Sequence, residues 1–366
     1  MSEKLTEDQF RPIVLKPSVG VKILLCLFIG CLSTFFAEVL SGSFPLWYLN
    51  LFGLLFVLPL YMLHLLFLLN LAIKSKRTSI PQLYLWGIIF ALYESWITKV
   101  LWFGYPNEQS AQFGLFLGIA WGEFLVLVFF FHPIFSFIIP ILVFQLFAVS
   151  SQSSNDFTNI VLPSHLNFMK KNKKVNFFVI FAIVLGACFI PISLGYNIFT
   201  VFLATLGNIA LILILYSLCK IKTKKNSHEF SINSLKLGRL GLTIVIIVLI
   251  ILYIFTFFVF SPERLPTTIT PYLIIIGFYI FIVIMIIISK PSNENNIDIS
   301  NVDNILNIKE LIIFLGILTV LAIIMCLLPA IAFIIGILTY LAMIIVGCAI
   351  FGIIIFWFIK KGIRNK

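Results

Sequence analysis

An all-α, polytopic transmembrane fold of about ten spans is what this sequence predicts, and three observations carry the prediction. Of the 366 residues, 61% are hydrophobic and 11% charged, with a mean hydropathy of +1.14, whereas a soluble domain carries roughly 25% charged residues. Apolar stretches long enough to cross a bilayer, which takes about 20 helical residues, recur from end to end. Runs such as "GLTIVIIVLIILYIFTFFVF" also lack the apolar–polar alternation of a membrane β-barrel.

Taken in order, the spans fall at 22–40, 47–73, 82–104, 113–149, 175–193, 198–219, 241–260, 271–289, 311–328 and 331–358. The last two are separated at Pro329, in "CLLPAIAF", because proline has no N–H to continue the helix. The fourth, 113–149, is too long for one plain crossing and barely long enough for two. It holds "WGEFLVLVFFFHPIF" and a second proline, Pro140. Before the first span, the polar, mixed-charge stretch 1–21 has no signal-peptide pattern, so the first span reads as an uncleaved anchor.

Charge decides how often 113–149 crosses. Lys and Arg accumulate in cytoplasmic loops. With one net crossing, every basic residue except Lys99 and Arg264 of the 25 lies on one side. With two crossings, every later loop flips. The segment therefore crosses once, and its surplus either re-enters from the cytoplasmic side or extends a kinked, tilted helix. The chain then divides into a cytoplasmic segment (1–21), a polar-bearing membrane half (22–149), a basic cytoplasmic loop (150–174), an apolar membrane half (175–359) and a basic cytoplasmic tail (360–366). Residence in the plasma membrane, with both termini cytoplasmic, follows. The net charge of +11 belongs to these loops, where it attracts anionic lipids; it does not signal nucleic acid. The six cysteines lie in or at the edge of spans without a CxxC pair, so neither a disulfide framework nor a zinc site is expected.

Ionisable groups at membrane depth are confined to the first half: Glu38, His64, Glu94, Lys99, Glu123 and His132. Such residues are costly in hydrocarbon and usually face a bundle interior or a cavity. Depth singles out Glu94, Glu123 and His64 as an intramembrane site. Glu94 is near the middle of its span, His64 a little past the middle of its own, and Glu123 about 15 Å into the fourth segment. Glu38, Lys99 and His132 are weaker candidates. Glu38 is close to one span end, Lys99 is placed to snorkel, and His132 falls at the inner boundary. Gly87, Ala91, Glu94 and Thr98 share one helical face, and small residues on such a face let helices approach closely. The plain structural alternatives are a buried glutamate acting as interhelical glue and His64 as a hydrogen-bonded core histidine. Tryptophans at span ends read as interfacial anchors.

Sequence signatures of chemistry are missing: there is no HExxH or P-loop and no GxSxG. A comparison with the CAAX-type intramembrane proteases fails on the paired-glutamate motif, because Ser95 follows Glu94 and no arginine comes after it. No cofactor is indicated and no metal site is expected. The pieces "FFAEVLSGSFPLW", "LYESWITKVLW" and "FFFHPIFSFIIP" resemble uncharacterised multi-pass membrane proteins of archaeal type over about the first 150 residues. That resemblance implies membrane residence and carries no activity. Among functions, ion- or proton-coupled transport through midplane carboxylates is the preferred expectation. The alternatives are a membrane-embedded enzyme acting on lipid or peptide and a non-catalytic scaffold. Substrate and oligomeric state are left open.

Overall fold

The computed structural model describes residues 18–105, 114–151, 160–225, 230–292 and 305–363. The N-terminal segment 1–17 and the last three residues, which the charge argument placed in the cytoplasm, lie outside the described residues. Among the described residues nine helices are long and apolar enough to cross a membrane. They are α1 (Val19–Val39), α2 (Gly53–Lys74), α6 (Trp121–Ser151), α7 (Lys173–Ser193), α8 (Ile198–Lys225), α9 (Arg239–Val259), α10 (Thr270–Ile288), α11 (Ile308–Leu327) and α12 (Pro329–Ile363). A tenth crossing is broken into α3 (Ile80–Ala91), α4 (Tyr93–Trp96) and α5 (Val100–Phe103). The fold is thus the expected all-α polytopic bundle, with α11 and α12 meeting at Pro329 as the sequence required.

The connections sort to two ends. At one end, Lys76 and Arg77 contact Ser292 and Ser289, His165 bonds the Thr78 carbonyl, and Lys22 reaches the Lys236 carbonyl. At the other, Arg264 bonds the Thr98 carbonyl at 3.2 Å, Trp47 bonds Asn208 at 2.8 Å, and Tyr196 reaches Pro329. Below they are called the lysine-rich and lysine-poor ends.

The helix α6 is the axis of the molecule. It is one continuous helix, so 113–149 does not re-enter. Of the two uses for its surplus, the structure takes the irregular single helix. The surplus is absorbed in two ways. Residues 115–120 form a small antiparallel turn, β1 (Leu115–Phe116) with β2 (Ile119–Ala120), made possible by positive φ at Gly114, Leu117 and Gly118. Leu127–Ile138 then winds as a π-helix, a form common at functional sites. Pro133 and Pro140 lie along α6 and return no N–H to the turn before them. One turn back from each, a hydroxyl from a neighbouring helix meets the backbone. Tyr84 donates to the Phe129 carbonyl and Ser33 to the Ser136 carbonyl, both at 2.6 Å. Backbone irregularity at membrane depth is tolerated when protein satisfies it in this way.

Close packing joins α3 to the π-helical stretch of α6. A Cβ on Gly87 would lie 2.6 Å from the Pro133 Cα, so only glycine permits this approach. The close helix contact expected of the Gly87 face is therefore present.

Candidate functional site

The break in the third crossing positions the site. Helix α3 stops at Leu92, α4 restarts with Tyr93 and Glu94, and the chain reaches Lys99 with φ +60° before α5. Glu94, buried, points its Oε1 at His132 Nε2, 2.9 Å away, while its Oε2 accepts the Thr98 hydroxyl. The other nitrogen of His132, Nδ1, meets the Ser136 hydroxyl at 2.7 Å. With Nε2–H donating to the carboxylate, Nδ1 of a neutral imidazole accepts from Ser136. The π register of α6 brings His132 and Ser136 nearly into line.

A second strand of hydrogen bonds approaches from α1 and α2. The Tyr61 hydroxyl donates to Glu38 Oε1 at 2.7 Å and lies 2.7 Å from the Tyr93 hydroxyl. Tyr93 immediately precedes Glu94 in α4. Side chains from the α1 end, α2, α4 and α6 thus form one polar chain of two hydrogen-bonded runs: Glu38, Tyr61, Tyr93 and then Glu94, His132, Ser136.

This chain forms part of the floor of a cavity of about 490 Å³. Glu38, Tyr61, Tyr93, Glu94, Thr98 and His132 line it; Ser136 does not. Ser41, Ser43 and Arg264 place its upper part among the connections of the lysine-poor end. Most of the remaining wall is apolar, including Phe56, Phe131, Phe189 and Phe255, with Tyr105, Thr256 and Tyr340 also on it. A pocket with apolar walls and a few convergent polar groups is the usual form of a small-molecule site. Serine, histidine and glutamate occur here in hydrogen-bonded order, but a nucleophile must reach its substrate, and Ser136 is fully buried outside the cavity. Acyl transfer by Ser136 is therefore excluded on access.

The three residues expected to converge do not all do so. Glu94 is central. His64 is a satisfied core histidine behind the site. Its Nδ1 bonds the Leu60 carbonyl at 2.7 Å and its Nε2 the Tyr253 hydroxyl at 2.9 Å. Its ring packs 5.4 Å from that of Tyr93. Glu123 and His132 exchange the places expected of them. Because α6 starts at Trp121 and not at 113, Glu123 occupies the first turn and His132 lies about 16 Å along the helix. Glu123 is buried against Gly104, and among the described residues its Oε2 has no hydrogen-bond partner. It is no partner of Glu94; His132 is.

Lys99 departs from expectation too. It does not snorkel. Its ammonium is buried and donates to the Thr256 carbonyl at 2.6 Å and to the Phe260 carbonyl. There it satisfies the C-terminal carbonyls of α9, where a cation is favoured by the helix dipole. Among the weaker candidates only Glu38 and His132 belong to the cavity.

The comparisons with known proteins agree with this architecture. Residues 27–362 match the group described as "Uncharacterized membrane protein family". The chain belongs to that family. An "Uncharacterized protein" from Archaeoglobus fulgidus is 43% identical over 137 residues, which is 36% of this chain. The match covers 41% of that relative's length, so the chain spans well under two thirds of it. No solved structure matches. The archaeal-type resemblance read from the first 150 residues is thus correct, and the family extends it over nearly the whole chain.

In this family member the sequence reading missed Tyr61, Tyr93 and Ser136, whose hydroxyls complete the polar chain. One signal was available, since a tyrosine in mid-span has an O–H that must find a partner. Among the described residues no cluster of three or more His, Cys, Asp and Glu is arranged to hold a metal ion. Glu94 and His132 are engaged with each other, with Thr98 and with Ser136.

Proposed function

We propose that the protein couples proton movement to transport of a small amphiphilic solute that occupies the 490 Å³ cavity. The reading is carried by one observation: two hydrogen-bonded runs, Glu38–Tyr61–Tyr93 and Glu94–His132–Ser136, meet at the adjacent residues Tyr93 and Glu94 on the cavity wall. In one state Tyr61 donates to Glu38 and Tyr93 donates to Tyr61. A proton arriving on Glu38 reverses the chain. Glu38 then donates to Tyr61, Tyr61 to Tyr93, and Tyr93 gives its proton to Glu94, whose carboxylate is held in place by the His132 Nε2–H. The solute's apolar body fits the phenylalanine walls, and its polar end meets Glu94 and Thr98. Carboxylates and histidines buried in spans commonly serve such relays. The orientation belongs to the proposal. Lysine-rich loops lie in the cytoplasm of the cell, so the cavity faces outward.

The test is solid-supported-membrane electrophysiology on proteoliposomes, under a proton gradient, with a panel of medium-chain fatty acids and alkylamines. Solute-dependent currents are expected in the wild type and in Glu123→Gln, and their loss in Glu94→Gln. Undiminished currents in both Glu94→Gln and His132→Gln would sink the proposal. A single cysteine placed at Lys171 is expected to react only with reagent on the cytoplasmic side.

The same imidazole–carboxylate pair on a cavity floor supports a second reading, general acid–base catalysis on a membrane-borne substrate. Covalent turnover of a bilayer lipid by the wild type, lost in Glu94→Gln and unaccompanied by current, would favour it.

A further inference from the structure

The larger cavity is elsewhere. A cleft of about 910 Å³ is lined by α6, α7, α11 and α12, with Phe36 of α1 and Tyr84 of α3 also on its wall. Its interior is apolar, with Ile138 and Leu142 of α6, Ala182 of α7 and Leu315 of α11 on its walls. Its mouth has a different chemistry. Lys170, Lys171, Lys173 and Lys174 all line it, at the lysine-rich end and at the first turn of α7. The lining of α7 continues from Lys173 to Ile183, about 15 Å along the helix. Glu310 lies 2.6 Å from Lys171. Lys170, Lys173 and Lys174 have no carboxylate within ion-pair distance among the described residues.

Three ammonium groups with no carboxylate partner among the described residues, above an apolar slot of about one leaflet's depth, are complementary to one kind of molecule. We propose that the cleft binds an anionic phospholipid of the adjoining leaflet, its phosphate among Lys170, Lys173 and Lys174 and one hydrocarbon chain between α6 and α7. Basic residues next to spans attract anionic headgroups, and here the slot adds a place for the chain. A zwitterionic lipid offers the same chain but no net charge. Inorganic phosphate offers the charge but no chain. The lipid would thereby join the two halves of the molecule. The inference is independent of what occupies the cavity at Glu94.

The test uses the full chain in vesicles of equal parts phosphatidylglycerol and phosphatidylcholine, then detergent extraction and mass-spectrometric counting of retained lipid. Wild-type protein is expected to retain phosphatidylglycerol preferentially, against an excess of inorganic phosphate. The lysine variant K170Q/K173Q/K174Q should lose that preference by about tenfold or more. A second variant, Ala182→Trp, leaves every lysine in place and fills the slot; it should lose retained phosphatidylglycerol to a similar degree. Melting temperature confirms that each variant folds, and Ala182→Leu replaces the tryptophan variant if that one does not. Equal retention of both lipids by wild type means ordinary boundary lipid and overturns the proposal. Full retention by the folded slot-filling variant means surface attraction alone and overturns it as well, as does displacement by inorganic phosphate.

Discussion

The two halves of the chain are equally apolar to the eye but are built for different surroundings. Within its span window α6 is 89% buried and α1 67%, whereas α9 and α12 are each 17% buried. The first half is surrounded by protein, and the second half turns most of its isoleucine and leucine outward. Hydrophobicity alone does not separate these cases, because a lipid-facing helix and a core helix are both apolar all round. What separates them is the polar minority. Glu38, Tyr61, Tyr93, Glu94 and His132 all lie in the first half, where other side chains can satisfy them. The apolar half lends a few groups from behind, Tyr253 to His64 and Thr256 to Lys99. Polar cargo follows burial.

The sharpest way to break this comparison is to remove one member of the central pair. Leaving a buried donor without its acceptor costs about 1–3 kcal/mol. Glu94→Leu, which strands His132, should therefore lower thermal stability in detergent more than any single change in α9 or α12. A shift in melting temperature no larger than that of Ile251→Ala, on an exposed face of α9, would contradict the assignment of Glu94 and His132 as a pair.

Glycine gives the next largest contrast. In the first half, Gly87→Leu drives a side chain into the Pro133 backbone and should cost about 1–3 kcal/mol or more by overpacking. In the second, a Cβ on Gly277, Gly316 or Gly352 meets nothing within 4 Å. Gly316→Leu should be neutral or slightly stabilising, since glycine is a poor helix former by about 1 kcal/mol. Chemical denaturation of the two variants side by side checks the pair. Similar losses at both positions would mean that α11 is covered by something in the membrane, a second copy among the possibilities.

How much of this was legible follows from which physical rule governed each element. Spans, the Pro329 break and the sorting of connections by charge rest on composition and length, and these survive without knowledge of packing. Gly87 was legible because a small residue on a helix face has a direct packing meaning. Depth was legible only where the start of the helix was known. The turn at 115–120 moved the start of α6 by eight residues from 113 to 121. Glu123 thereby became shallow and His132 central. Lys99 was misjudged for a related reason. Its left-handed backbone and the carbonyls of α9 that it caps belong to tertiary structure, and no spacing along 82–104 announces them.

Smaller effects are expected where neutral hydroxyls meet the backbone of α6. Tyr84→Phe removes the donor to the Phe129 carbonyl while keeping the ring, and a buried acceptor left unmet costs about 1–3 kcal/mol. Ser33→Ala does the same to the Ser136 carbonyl. The two carbonyls lie near the two prolines, so the losses test whether the neighbouring helices stabilise the irregular stretch. If restoring an ordinary residue at Pro133 removes the cost of Tyr84→Phe, the hydroxyl is there to compensate for the proline. A double-mutant cycle of Pro133→Ala and Tyr84→Phe measures this coupling directly.

The smallest expected effect sharpens the comparison from within the first half. Glu123 and Glu94 are both buried glutamates on the same side of the chain's polarity divide, yet Glu94 has His132 and Thr98, while Oε2 of Glu123 has no hydrogen-bond partner among the described residues. Replacing a carboxyl that is already unsatisfied removes little. Glu123→Gln should leave stability within about 0.5 kcal/mol of wild type, or raise it slightly, because a buried polar group without a partner is itself a cost. Glu94→Gln keeps the shape and loses the charge that orders His132 and Ser136, so the gap between the two Glu→Gln variants isolates the contribution of the pair from that of burial. Equal melting temperatures for the two would mean that the imidazole contact adds nothing beyond a neutral hydrogen bond, and the chain from Glu38 to Ser136 would then be packing and not a proton path.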